Sequence, residues 1–129
     1  MKRFTDECGQ SLVEFAIILP ILLLLIMGII EFGLIMNSCL TIQNASREGA
    51  RIAIVGAADS DIRNRIISDS PNLQTADLTI DITPVEGSRS SGDTITVAIS
   101  YNYHLVTPFI SSILNNSLIL HAQTSMRME

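Results

Sequence analysis

The sequence predicts an α+β chain in which one long N-terminal helix starts in a membrane and runs on into a small globular end, a three-stranded antiparallel sheet with short helices. Three observations predict it. Residues Phe15 to Ile30 read FAIILPILLLLIMGII, an uncharged and almost wholly apolar run between two carboxylates, Glu14 and Glu31. Helical patterning then continues with no Pro or paired Gly until Gly56. From Asp77 onward the spacing of apolar residues changes to a period of two.

The helix is justified first. At about 1.5 Å per residue the run from Phe15 to Ile30 covers roughly 24 Å, and Leu12, Val13 and Phe32 to Met36 bring it near the roughly 30 Å of a bilayer core. Residues 10–36 are expected to be the transmembrane half of the helix and residues 37–58 its extracytoplasmic half. A secretory signal would place a small-residue cleavage site after the apolar run; here the apolar character continues past it, so the span is expected to be retained. Lys2 and Arg3 favour a cytoplasmic N-terminus, although Asp6 and Glu7 dilute the cue. Pro20 lacks an N–H and is expected to kink or loosen the span, a defect that neighbouring helices can absorb. Glu14, at the edge of hydrocarbon, either finds a partner or lies in the headgroup layer. Glu31 is expected to mark the far interface, solvated or snorkelling.

Above the span Ala45, Gly49, Ala53 and Ala57 recur every four residues, with Ser46 and Ala50 beside them. Such a ridge of small residues lets another backbone approach closely, either the chain's own sheet or the helix of another subunit. Arg47, Glu48 and Arg51 lie mostly off the ridge and read as a solvated face.

Residues 59–129 form the predicted globular domain. Asp59 to Asp69 reads as a short helix capped by Asp59 or Ser60, with Ile62, Ile66 and Ile67 on one side and Arg63 and Arg65 on the surface. Leu78, Ile80 and Ile82 alternate with polar residues, the polar loop Glu86 to Asp93 follows, and Ile95, Val97, Ile99, Tyr101 and Tyr103 alternate in turn, which describes a hairpin with one buried face. Pro84 suits the exit of the first strand. A helical turn is expected from Pro108, with Phe109, Ile110, Ile113 and Leu114 apolar. A last strand carries Leu118, Leu120, Ala122, Met126 and Met128 on one face and His121, Gln123 and Arg127 on the other. Whether the link from Tyr103 to Leu118 closes a hairpin or crosses over is open at this point.

Composition narrows the chemistry. The net charge of −5 and the lack of a basic cluster argue against nucleic acid as a partner. Two cysteines, Cys8 and Cys39, lack the spacing of a zinc site. His104 and His121 have no second ligand at metal spacing, no triad motif is present, and Gly87 and Gly92 sit in a hairpin rather than between strand and helix. No enzyme, cofactor or metal site is expected.

Gly9, four residues and then Glu14-Phe15, directly ahead of a long apolar run, resembles the processing site of class III signal sequences in type IV pilins and pseudopilins. The longer string GQSLVEFAIILPILLLLIMGIIEFG, the later QNASREGARIAIV, the alternating TITVAISYNY and the terminal MRME resemble the TadE-like pseudopilins, or minor pilins, of the tight-adherence (Flp, type IVb) pilus system. The resemblance implies a pilin-like fold and a leader at residues 1–9 removed by a prepilin peptidase between Gly9 and Gln10. It also implies a role for Glu14 and Phe15 in subunit assembly, Glu14 pairing with the new α-amino group of Gln10 in its own or a neighbouring subunit. Pro20 would then be a bending point used as subunits leave the bilayer. The implied partners are the prepilin peptidase, other pilins and minor pilins through the N-terminal helix, the inner-membrane assembly platform and the membrane itself. The implied location is the inner (cytoplasmic) membrane, single-pass, with incorporation into the pilus left open.

The implied function is assembly, initiation or adjustment of that pilus. A bitopic membrane protein with an uncleaved anchor and an extracytoplasmic binding or sensing domain is the alternative, and a type II secretion pseudopilin a third reading. Pilins that form the filament of this system are short and nearly all helix, so the globular end favours a minor component.

Overall fold

The computed structural model describes residues 4–129, with side chains from Gly9 onward. Lys2 and Arg3, the orientation cue, lie outside the described residues. The first element, α1, is a 50-residue helix, Phe4–Ala53, which continues through Pro20. It starts ahead of Gly9, so the Gly9–Gln10 peptide lies inside a helix. Its end is set by Gly56, whose positive φ of 87° would strain any side-chain-bearing residue. The N–H of Gly56 reaches the Ala53 carbonyl at 3.1 Å and that of Ala57 reaches Ile52 at 3.3 Å, two bonds that satisfy carbonyls the helix leaves unpaired.

Helix α2, Asp59–Ser68, doubles back against α1 with Ile62 and Ile66 buried. The expected cap by Asp59 or Ser60 is not observed. Ala58 holds the N-cap position without a side-chain bond, and Asp59 is already helical. Its carboxylate is taken by Arg89 instead.

A 3-10 turn at Thr75–Asp77 leads into β1, Leu78–Thr83, followed by β2, Thr94–His104, helix α3, Pro108–Ile113, and β3, Ser117–Arg127. The sheet order is β1-β2-β3 with both pairs antiparallel. Tyr103 pairs with Leu118 and His104 with Ser117, so α3 and the turn at Asn115 and Asn116 close a hairpin rather than cross over. Ile95, Val97, Ile99, Tyr101 and Tyr103 face the helices, while Thr96, Ser100 and His121 lie on the outer face, where Thr96 meets Ser125 and Ser100 meets His121 at 2.8 and 2.9 Å. Alternation along β2 thus divides core from solvent.

Two bonds fix the sheet's height along α1. The Tyr103 hydroxyl donates to Glu31 at 2.9 Å, and the Ser46 and Thr124 hydroxyls bond at 2.6 Å. From Glu31 to Ser46 a helix rises roughly 22 Å, and from Leu118, opposite Tyr103, to Thr124 a strand advances roughly 20 Å. β3 therefore runs alongside α1. The α3 end of the sheet lies toward the apolar run and the β1–β2 loop lies at the far end.

That loop is held by Arg89, whose side chain is only 7% exposed. It donates to the carbonyls of Pro84 at 2.9 Å and Ala57 at 3.4 Å and pairs with Asp59, joining the hairpin to the α1–α2 junction. Arg89→Ala is expected to lower stability by about 1–3 kcal/mol, the range for losing charged hydrogen bonds. Urea unfolding should show that loss, and hydrogen exchange should rise at the start of α2 before it rises in β2.

Candidate functional site

The described residues divide the candidate features between an exposed lower helix and a packed upper one. Gly9, Gln10, Glu14 and Phe15 are exposed, and nothing lies within 4 Å of where a Cβ would stand on Gly9. The Gln10 side-chain amide donates to Glu14 at 3.2 Å, one helical turn away. These two positions therefore share one face of α1. From Leu12 to Ile26 the large apolar side chains are all exposed in the isolated chain, and α1 from Gly9 is long and apolar enough to cross a membrane.

Higher up, one stripe of α1 is buried at helical spacing: Glu31, Ser38, Ile42, Ala45, Gly49 and Ala53. Ala45 and Ala53 are fully buried, and Ala57, past the helix end, is half-buried. Gly49 faces Ile66 and Ile62 of α2. Ser46 beside it meets β3 through Thr124. Within the chain, this ridge packs on α2 and the sheet.

The feature that sequence reasoning missed is Glu31. The expected solvated or snorkelling carboxylate is instead 2% exposed. Oε1 accepts from the Tyr103 hydroxyl at 2.9 Å and the Val106 N–H at 3.2 Å, and Oε2 from the Thr107 N–H at 2.9 Å and hydroxyl at 2.8 Å. An ionised carboxylate has about four acceptor positions, and here each oxygen receives two donors. Burial and the bond to Glu31 together push the Tyr103 phenol up to about 12 from 10.0, so Tyr103 stays a donor at any physiological pH. The signal in the sequence was slight: a carboxylate closing an apolar run, with its donors more than seventy positions away. The cluster ties the β2–α3 junction to the top of the apolar run, a positioning role rather than a catalytic one.

Below it, Phe109 of α3 and Pro20, Leu23, Leu24 and Met27 of α1 line an apolar groove of about 280 Å³. Among the described residues no group of three or more His, Cys, Asp or Glu side chains could hold a metal ion.

A family model matches the region that holds the lower helix and most of the buried stripe. Residues 9–51 match the family model of the TadE-like proteins. TadE-like proteins are a structural, pilin-type family rather than enzymes. The match takes in nearly all of α1 from Gly9 and ends two residues short of its C-terminal end, so the TadE-like signature is carried by the helix, with Glu14, Pro20 and Glu31 inside it. No curated protein and no solved structure matches the chain.

Proposed function

We propose that the chain is a minor pilin or pseudopilin of a tight-adherence pilus, held in the inner membrane by residues 10–36 and trimmed by a prepilin peptidase between Gly9 and Gln10. The observation that carries this is the TadE-like match, which begins at Gly9, the residue taken as the last of the leader. Glu14 then lies four residues from a new α-amino group. A carboxylate at the edge of hydrocarbon is costly when alone and much less so beside an ammonium group. Glu14 of one subunit and the amine of Gln10, in the same chain or a neighbour, would neutralise each other and set the axial register of packed helices. Phe15 and the span supply the packing surface, and Pro20 a bending point during extraction. The ridge at Ala45, Gly49, Ala53 and Ala57 serves the subunit's own fold, leaving the lower helix to contact other pilins and the assembly platform.

The mature N-terminus decides the matter. Mass spectrometry of membrane-extracted protein should give a chain starting at Gln10 when the peptidase is present and at Met1 when it is absent, and Gly9→Arg should block the change. A start at Met1 under both conditions would overturn the proposal and leave a single-span protein with an uncleaved anchor.

A further inference from the structure

We propose that Val106 to Leu114, the segment containing α3, is a second membrane-embedded element, a foot that rests among the acyl chains of the leaflet nearest the sheet. This rests on α1 being a membrane span and is independent of any pilus role.

Its position is the first ground. Phe109 lines the groove with Met27, Leu24, Leu23 and Pro20. These residues lie four to eleven positions before Glu31, which is roughly 6–16 Å below it along the helix. All four belong to the charge-free run from Phe15 to Ile30. A bilayer that covers that run also reaches Phe109.

The second ground is chemistry. Between Leu105 and Leu120 no charged residue occurs. Val106, Phe109, Ile113 and Leu114 are exposed, Ile113 at 81%, although the segment adjoins the apolar helix through Phe109. An apolar patch of this kind in water would be a liability, whereas in hydrocarbon it is the stable arrangement.

The third ground is that the polar groups of the foot are largely satisfied internally, as a segment in lipid requires. The hydroxyls of Ser111 and Ser112 donate to the Pro108 carbonyl at 2.8 and 3.0 Å. Pro108 has no N–H, and the Thr107 N–H and hydroxyl both end on Glu31. The backbone N–H groups of Ser111, Leu114 and Asn116 bond to Thr107, Ile110 and Ser111. The carbonyl of Asn116 accepts from Leu105, which puts the polar turn near the level of Glu31, where headgroups begin.

The test uses the full chain with Cys8 and Cys39 replaced by Ser, in liposomes of phosphatidylethanolamine and phosphatidylglycerol. A polarity-sensitive fluorophore is attached to one new cysteine at a time: Ile113→Cys, Phe109→Cys as a second site should the first not fold, Leu24→Cys in the span and Ser90→Cys at the far loop. Acyl-chain nitroxide lipids should quench the foot sites as they quench Leu24→Cys, with little loss to aqueous iodide, and Ser90→Cys should behave oppositely. Iodide quenching of the foot sites like that of Ser90→Cys would overturn the proposal. So would shielding from both quenchers that disappears on dilution into excess lipid, which would place a second copy of the chain in the groove. Failure of lipid quenching at Leu24→Cys would instead remove the span itself.

Discussion

Replacing Glu31 with Gln is expected to loosen the β2–α3 junction and cost about 2–4 kcal/mol, even though the two side chains are nearly the same shape. The carboxylate accepts four hydrogen bonds. Gln keeps an acceptor for Tyr103 and Val106 but turns an NH2 toward Thr107, whose hydroxyl can rotate to accept from it while its N–H is left facing a donor, unpaired in a buried place. Bonds to a charged acceptor contribute roughly 1.5–3 kcal/mol each, and a stranded buried donor costs about 1–3 kcal/mol, so the net loss exceeds that of an ordinary surface change. Glu31→Ala should be at least as damaging. Hydrogen exchange at the amides of Val106 and Thr107 reads the effect locally, apart from any global change. Tyr103 gives an independent readout, because the chain has two tyrosines and no tryptophan. In a Tyr101→Phe background, absorbance should follow one phenol titrating at about 12, held there by burial first and by Glu31 second. Glu31→Gln should lower that midpoint while leaving the part due to burial. The phenol's folded pKa is raised, so its contribution is fully present below pH 10.0 and is lost as the pH rises through about 12. An unchanged midpoint and unchanged exchange in the Gln variant would mean that the four bonds do not hold the junction.

Glu31 also marks where reading a sequence runs out. Elements with their own periodicity were legible: the alternation from Leu78 to Ile82 and from Ile95 to Tyr103 became β1 and β2, Pro108 opened α3, and Gly56 ended the helical pattern. Each of these depends on a local property, a period or a backbone angle. Glu31 depends on Tyr103, Val106 and Thr107, and Ser46 on Thr124, pairs whose spacing along the chain carries no pattern. From the sequence Glu31 is a charge at the end of an apolar run, and solvation is the reasonable expectation. The absent cap of α2 has the same origin, since Asp59 has the right residue type but is engaged by Arg89 from thirty positions away. Strand order followed once α3 was seen to fold back, because a hairpin and a crossover use the same residues between Tyr103 and Leu118.

The ridge on α1 offers the sharpest test of how the helix carries its own domain. A Cβ on Gly49 would stand 2.8 Å from Ile66 Cδ1, 3.0 Å from Ile66 Cγ1 and 3.5 Å from Ile62 Cγ2, and both isoleucines are fully buried. Gly49→Ala sets a gain in helix propensity of about 1 kcal/mol against a small forced shift of Ile66, so its net effect is expected to be slight. Gly49→Leu has no such balance. Overpacking costs about 1–3 kcal/mol or more, and α2 should lift from α1, seen as faster hydrogen exchange from Asp59 to Ser68. Ile66→Ala alone should cost about 2–5 kcal/mol by leaving a cavity. Combined, the two changes should cost clearly less than their sum, because the added leucine occupies the space the isoleucine vacates. Simple additivity would show that the approach of α2 is not what requires glycine at this position. Gly28 and Gly33 provide the contrast, since in the isolated chain nothing lies within 4 Å of where a Cβ would stand on either. Their replacement by Ala should leave the subunit's own stability unharmed, so any assembly defect it produced would come from a contact with another molecule.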